Sequence, residues 1–154
     1  MKIKDENENV QNIGNLLITD KENNPLKEKL SISKLNINLN SLREIDKYLE
    51  IIRKNKKKLN EREIKQVILR CGTYLGEVIR KTKPDRFIWV SYDVALKMNK
   101  GKMPLEQDIS TIFILYDKTS ERFWFPLGKA YKFIEYGKAD SLWAFAKICL
   151  GKLR

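Results

Sequence analysis

The chain has 154 residues, of which 42% are hydrophobic and 10% aromatic, and its formal net charge is +11. This length supports one domain with a buried core, and the apolar content excludes a disordered chain. No stretch reaches the roughly 18 apolar residues of a membrane span and no signal peptide is recognisable, so a cytoplasmic location is expected. Histidine is absent from the sequence, which removes the commonest general base and zinc ligand.

The excess of positive charge lies outside the first 40 residues. Residues 1–40 contain six lysines and six acidic residues, whereas residues 41–154 contain 25 basic and 14 acidic residues. We therefore predict a polar, largely flexible N-terminal arm over 1–40 and a single domain over 41–154. Within the arm, the alternation of Leu35, Ile37 and Leu39 indicates an edge strand.

Two helices are predicted at the start of the domain. The first runs from about 41 to 54 and begins with a capping box formed by Ser41 and Glu44. The second begins with another box, Asn60 with Glu63, and continues through a broad apolar stripe. It is the longest helix expected in the chain.

Gly72 and Gly76 lie one turn apart in this second helix, where each costs about 1 kcal/mol relative to alanine. Both fall on one flank of the apolar stripe, so they predict a flat groove that receives a tryptophan or an adjacent helix. A ligand in the groove is the alternative. Cys71 and Cys149 lie on apolar helical faces and are predicted to be buried free thiols.

The hydrophobic period changes after Pro84. Residues 86–92 alternate with apolar residues on both faces, which predicts a central strand. Residues 95–108 indicate a polar connection with several turn residues. Two further strands, at 110–116 and 122–126, are separated by a hairpin turn, so the simplest arrangement is a three-stranded antiparallel sheet.

The C-terminal part predicts a helix from Pro126 to Gly137 and a second helix that is capped at Asp140 or Ser141. The predicted fold class is therefore α+β. It has two N-terminal helices, a three-stranded antiparallel sheet, and one or two C-terminal helices packed on one face of the sheet.

Three segments carry a resemblance to known proteins: "YLGEVIR" at 74–80, the strand with Trp89, and the pattern "P…YKFIEYGKADSL..F" that starts at Pro126. Together they resemble a loosely defined group of small, uncharacterised bacterial α+β proteins, over about residues 61–150. Some of that group are suspected immunity or accessory proteins for secreted toxins. The resemblance implies a non-enzymatic role, and it supplies no catalytic residues.

The sequence carries no motif that predicts a reaction. It lacks a G-x-x-x-x-G-K-S/T loop, a G-x-G-x-x-G turn and a C-x-x-C pair, and its acidic residues are too scattered for a carboxylate metal cage. Glu77 with Arg80, and Arg86 with Asp93, are interpreted as a set of surface ion pairs. No catalytic, cofactor-binding or metal-binding residue is predicted, and a histidine-independent enzyme is the third interpretation.

Two interpretations of function rank above a histidine-independent enzyme. The first is a non-enzymatic protein-binding module, such as an immunity protein or inhibitor, in which lysines and exposed aromatic rings engage an acidic protein partner. The second is a nucleic-acid-binding protein that uses the lysine-rich patch, although 23 lysines against eight arginines argue against bidentate recognition. For the lysine-rich patch itself, a loop that is merely solvated is favoured over a phosphate-binding site. The candidate partner-binding residues are Lys54, Lys56, Lys57, Lys58, Trp124, Tyr131 and Tyr136.

Overall fold

A computed structural model describes residues 3–152, which form seven α-helices and three β-strands. The helices are α1 (Ile3–Gly14), α2 (Leu16–Thr19), α3 (Leu42–Lys54), α4 (Glu61–Thr82), α5 (Tyr92–Met98), α6 (Pro126–Tyr136) and α7 (Leu142–Cys149). The strands are β1 (Phe87–Ser91), β2 (Phe113–Asp117) and β3 (Arg122–Trp124). Among these residues no helix has both the length and the apolar content needed to cross a membrane.

The three strands form one antiparallel sheet in the order β1-β2-β3, so the predicted α+β class and the predicted hairpin are confirmed. The central strand is β2, and the expectation that β1 is central is wrong. Helix α1 covers the outer edge of β1, where the Asn7 side-chain amide donates a hydrogen bond to the Trp89 carbonyl and accepts one from the Trp89 N–H. Both faces of this edge strand are apolar because Phe87 and Trp89 pack in one core and Val90 packs in another.

The main core lies between the sheet and the long helices. Phe87, Trp89 and Leu115 turn their side chains toward it, as alternate residues of paired strands do. Helices α3, α4, α6 and α7 supply most of the remaining apolar side chains of this core. The helices that were predicted therefore pack together against the sheet.

The opposite face of the sheet carries a smaller core of Val90, Ala95 and Ile114. Ala95 belongs to α5, a helix that the sequence analysis assigned to a polar connection. The hydroxyl of Ser91 caps α5 by accepting a hydrogen bond from the Val94 N–H. A helix of seven residues with one fully buried side chain gives a weak periodic signal, which is why the pattern did not predict it.

The first 40 residues are not separate from the domain. Val10, Leu17, Leu30 and Leu35 are buried in the main core. The predicted edge strand is also wrong, because 3₁₀ turns at Ile32–Lys34 and Leu39–Ser41 and a left-handed backbone at Ile37 (φ 53°) replace extended structure.

Three buried polar side chains tie this N-terminal segment to the helices. The guanidinium of Arg70 on α4 donates hydrogen bonds to the carboxylate of Asp20 and to the amide oxygen of Asn24. The hydroxyl of Tyr48 donates to the Pro25 carbonyl, and the hydroxyl of Tyr74 accepts from the backbone N–H of residue 37. A buried donor without its partner is costly, so these bonds make residues 20–37 part of the fold.

The glycine groove on α4 is confirmed. A Cβ on Gly72 would lie 2.5 Å from the Cα of Leu127 on α6, and a Cβ on Gly76 would overlap the six-membered ring of Trp89. One glycine therefore admits an adjacent helix and the other admits a tryptophan. Cys71 and Cys149 are both buried as predicted, and burial raises the pKa of each thiol.

One of the two predicted capping boxes is present. Asn60 and Glu63 exchange the expected pair of side-chain to backbone hydrogen bonds at the start of α4. The box predicted for Ser41 and Glu44 is wrong, because the Ser41 hydroxyl bonds instead to the Asn38 carbonyl and to the hydroxyl of Tyr74. Burial beside Tyr74 thus replaces a local cap with a contact between distant parts of the chain.

Candidate functional site

The outward face of α3 carries a row of charged side chains. Arg43, Lys47, Glu50 and Lys54 recur at intervals of four, three and four residues, which places them along one side of a helix. The opposite side of α3 holds Ile45, Leu49 and Ile52, all fully buried. This apolar face fixes the helix against the core, so the charged row is held in place on the surface.

A groove runs beside this row. It consists of two adjoining cavities of about 610 Å³ and 370 Å³, which share Asp46, Lys47 and Ser141 in their walls. We call it the α3 groove; its walls are the segment 34–41, the outward side of α3 from residue 43 to residue 50, Phe133 on α6, and the stretch from Lys138 to Trp143. A space of this size accommodates a ligand larger than a single ion.

Two carboxylates of the α3 groove already have cationic partners within the fold. The Glu44 carboxylate lies 3.2 Å from the Lys47 ammonium and 3.6 Å from that of Lys34. Glu50 accepts two hydrogen bonds from the Arg53 guanidinium, which lower the pKa of Glu50. These carboxylates therefore add little free negative charge to the groove.

Asp46, the third carboxylate of the groove, holds the first turn of α7. It accepts hydrogen bonds from the Ser141 hydroxyl at 2.6 Å and from the backbone N–H groups of Leu142 and Trp143 at 2.8 and 3.4 Å. A carboxylate at a helix N-terminus satisfies N–H groups that the helix itself leaves unpaired. Burial raises the pKa of Asp46, although these three bonds and Arg43 act in the opposite direction.

Several cations around the groove lack such partners. Arg43, Lys54, Lys138 and Lys147 make no salt bridge with a carboxylate of the described residues. Instead, the Arg43 guanidinium carbon lies 4.0 Å from the ring centroid of Trp143, and the Lys147 ammonium lies 4.6 Å from the same ring. The groove thus presents positive charge and a half-buried aromatic ring to an incoming ligand.

The predicted lysines lie at the C-terminal end of α3. Lys56, Lys57 and Lys58 form a 3₁₀ turn directly after the helix, and Lys54 is exposed on its last turn. The Lys56 ammonium lies 3.3 Å from a carboxylate oxygen of Glu135 on α6. This contact places the lysine turn next to the end of α6.

The predicted tyrosines lie on the exposed face of α6. The side chain of Tyr136 is 72% exposed and that of Tyr131 is 43% exposed, with Lys132 and Glu135 between them on the helix surface. Tyr136 precedes Gly137, where a Cβ would lie 3.3 Å from the Nε atom of Arg53. Six of the seven candidate partner-binding residues thus lie on α3, on the turn that follows it, or on the α6 helix beside that turn.

Trp124 does not belong to this set as an exposed aromatic ring. It is only partly exposed, packs against the main core, and makes an edge-to-face contact with Phe145 at 5.7 Å between ring centroids. The expectation that Trp124 is an exposed anchor is therefore corrected. Its place opposite Leu115 on the inward side of the sheet is the physical reason.

The predicted set of surface ion pairs is only partly right. Glu77 does bind Arg80 through two hydrogen bonds, but its carboxylate is buried and also accepts the indole N–H of Trp89. Arg86 pairs with Asp117 and not with Asp93, because β1 and β2 align Asp117 with the residue after Arg86. Both sets are internal supports of the fold.

The predicted site residues do not include Asn36, Asn40, Arg43 or Trp143, which the fold brings to one groove. The spacing of Arg43, Lys47 and Lys54 on one helix was the available signal. Among the described residues no group of three or more acidic or cysteine side chains could hold a metal ion. No family model matches the sequence, and comparisons with curated proteins and with solved structures found no match.

Proposed function

We propose that the protein is a non-enzymatic protein-binding module that holds an acidic protein partner along the α3 groove and the adjoining end of α6. As part of the same proposal it acts in the cytoplasm as an immunity protein or inhibitor. The proposal rests on one observation, which is that the negative and positive groups around the groove differ in whether they have partners within the fold. Its carboxylates are bound within the fold, whereas Arg43, Lys54 and Lys138 have no salt-bridge partner among the described residues.

One exposed and one half-buried aromatic ring accompany these cations. Tyr136 lies near the lysine turn and Trp143 near the Asn-rich wall of the groove. In protein complexes, peripheral charges accelerate encounter, and buried aromatic side chains keep the complex together. A surface with both features fits an acidic partner with an apolar contact point.

Site-specific photo-crosslinking tests this proposal. Benzoylphenylalanine replaces Tyr136 in one variant and Lys118, on the exposed β2–β3 turn, in a control variant. We expect an acidic protein to be crosslinked from position 136 and not from position 118. The crosslinked protein is then purified, and Tyr136→Ala is expected to accelerate its dissociation. Equal crosslinking from both positions, or a dissociation rate unaffected by Tyr136→Ala, contradicts the proposal.

Nucleic-acid binding is the second candidate, and the placement of Arg43 and Lys147 beside the ring of Trp143 favours it, since such proteins combine positive charge with aromatic rings. Fluorescence anisotropy with a labelled single-stranded oligonucleotide distinguishes the two. A nucleic-acid site loses affinity log-linearly between about 50 and 200 mM salt, by a factor of about 1,000 or more when six or more phosphates are contacted. Weak oligonucleotide binding without this steep salt dependence supports the protein partner.

A further inference from the structure

The α3 groove has a wall of three asparagines at alternate positions, Asn36, Asn38 and Asn40, in a segment that ends in the 3₁₀ turn Leu39–Ser41. The side chain of Asn38 is already bonded within the fold, because its amide oxygen accepts a hydrogen bond from the Ser41 N–H. The side chains of Asn36 and Asn40 are exposed and make no hydrogen bond with another described residue. Two unused amides therefore face one groove.

A primary amide can donate and accept hydrogen bonds at the same time, which matches the C=O and N–H groups of an extended peptide. The protein already contains one such pairing. The Asn7 side chain donates to the carbonyl of Trp89 at 2.9 Å and accepts from its N–H at 2.7 Å. Asn36 and Asn40 offer the same chemistry to a chain that enters the groove from outside.

Arg43 supplies a carboxylate-binding group in the same groove. Its guanidinium carbon lies over the ring of Trp143, 4.0 Å from the centroid, and the N–H donors of a guanidinium lie in the plane of the group. A carboxylate can then approach edge-on and accept two parallel hydrogen bonds. Glu44 and Asp46 do not compete for this position, because both are bound to other groups.

We propose that the α3 groove binds an extended, acidic peptide segment of the partner. The amides of Asn36 and Asn40 pair with its backbone, and Arg43 binds a carboxylate side chain. This inference rests on the proposed function and deepens it, since it names the recognised segment and the residues that recognise it. A free cavity of about 610 Å³ holds several residues of extended chain.

The test uses a short capped peptide of alternating glutamate and alanine and a counterpart with glutamine in place of glutamate. Titration into isotope-labelled protein is followed by nuclear magnetic resonance. We expect the acidic peptide to shift the side-chain amide signals of Asn36 and Asn40 and the indole signal of Trp143. The glutamine peptide is expected to bind about tenfold more weakly, which corresponds to about 1.4 kcal/mol.

Matched variants identify the groups involved. Arg43→Gln is expected to weaken binding of the acidic peptide about tenfold, and the double variant Asn36→Ala with Asn40→Ala about fivefold. Arg62→Gln and Asn12→Ala change exposed residues of the same types on α4 and α1 and are expected to leave binding unchanged. Thermal unfolding of each variant checks that the fold is retained.

Three results would overturn the inference. They are equal binding of the acidic and glutamine peptides, no shift of these signals at about 5 mM peptide, and shifts caused by a thymidine oligonucleotide but not by the acidic peptide. The proposed function can survive such a failure, because partner crosslinking from position 136 does not depend on Asn36, Asn40 or Arg43. Absence of a crosslinked partner together with intact peptide binding would instead count against the proposed function alone.

Discussion

Helices α3 and α4 both carry charged side chains, but they use them differently. On α4, the Arg70 guanidinium and the Glu77 carboxylate are buried and bind several partners of the same chain. On α3, Arg43 and Lys54 are exposed and have no salt-bridge partner among the described residues, while the neighbouring carboxylates do. A charged group therefore supports the fold when its hydrogen bonds and ion pairs are made within the chain, and it is a candidate binding group when they are not.

The largest expected effect concerns a buried charged group on α4 whose bonds are made within the chain. Glu77→Ala removes the buried carboxylate that holds Arg80 and the indole N–H of Trp89. We expect a loss of about 3 kcal/mol in the free energy of unfolding, because breaking a buried pair leaves its partners unpaired. Denaturant unfolding measures it.

Glu135→Ala is the matched control for this change, since Glu135 forms an exposed pair with Lys56. Its expected cost is below about 0.5 kcal/mol. Similar losses in the free energy of unfolding for the two variants would refute the distinction between buried, fully bonded charges and exposed charges.

The next effect tests how closely α4 is packed. Gly76→Ala places a Cβ in the volume of the Trp89 ring, and we expect a loss of about 2 kcal/mol. Gly128→Ala on α6 is the control, because its Cβ would meet the nearest atom, in Phe125, at an ordinary 3.4 Å. This control is expected to be neutral or stabilising by up to about 1 kcal/mol. The order of the two melting temperatures decides the matter.

A smaller, pH-dependent effect is expected at Asp117. Burial alone would raise the pKa of this carboxyl, but hydrogen bonds from Arg86, Ser120 and Thr119 lower it below its ordinary value of 3.8. A lowered pKa in the folded state stabilises the protein above that value, and the contribution disappears as the pH falls through the folded-state pKa. Asp117→Asn should therefore destabilise at neutral pH by an amount that shrinks below about pH 4.

Unfolding curves of both proteins from neutral to acid pH measure this difference. A gap that stays constant with pH would mean that the hydrogen bonds of Asp117, and not its charge, supply the stability. Glu22 forms an exposed pair with Lys27, so Glu22→Gln is a control that is expected to change stability little at any pH.

The smallest effect on stability is expected for the exposed lysines at the C-terminal end of α3. Replacing Lys54, Lys56, Lys57 and Lys58 by serine should change the free energy of unfolding by less than about 0.5 kcal/mol. The same change should slow association with the crosslinked partner several-fold at low salt and have little effect at high salt, where charges are screened. Stopped-flow measurement of association at both salt concentrations checks this, and an unchanged rate at low salt would exclude steering by these lysines.

Local patterns predicted much of the domain after residue 40. The capping box of Asn60 and Glu63, the apolar stripe of α4 and the glycine pair all act within a few turns of one helix. The period-two alternation and the hairpin turn specified β1 to β3 in the same way. Such features depend on neighbours in sequence, so they could be inferred without the tertiary structure.

The parts that escaped prediction depend on distant contacts. Residues 1–40 have a balanced charge and scattered apolar side chains, so their place in the fold depends on distant contacts. Val10 and Leu17 are buried in the main core, and Arg70, Tyr48 and Tyr74 form hydrogen bonds with this segment. The α3 groove joins Asn36 to Trp143 across more than 100 positions of the chain. Of the candidate site, the lysines and the α6 tyrosines could be predicted from composition and exposure, whereas the groove itself could not.

The cover over β1 also bears on how the protein behaves when it is concentrated. An open strand edge offers unpaired N–H and C=O groups to other chains and is a common starting point for aggregation. Here Asn7 occupies both backbone groups of Trp89, and α1 lies along the same strand. At the other edge, β3 is only three residues long. The sheet therefore resists joining edge to edge with further copies of the chain.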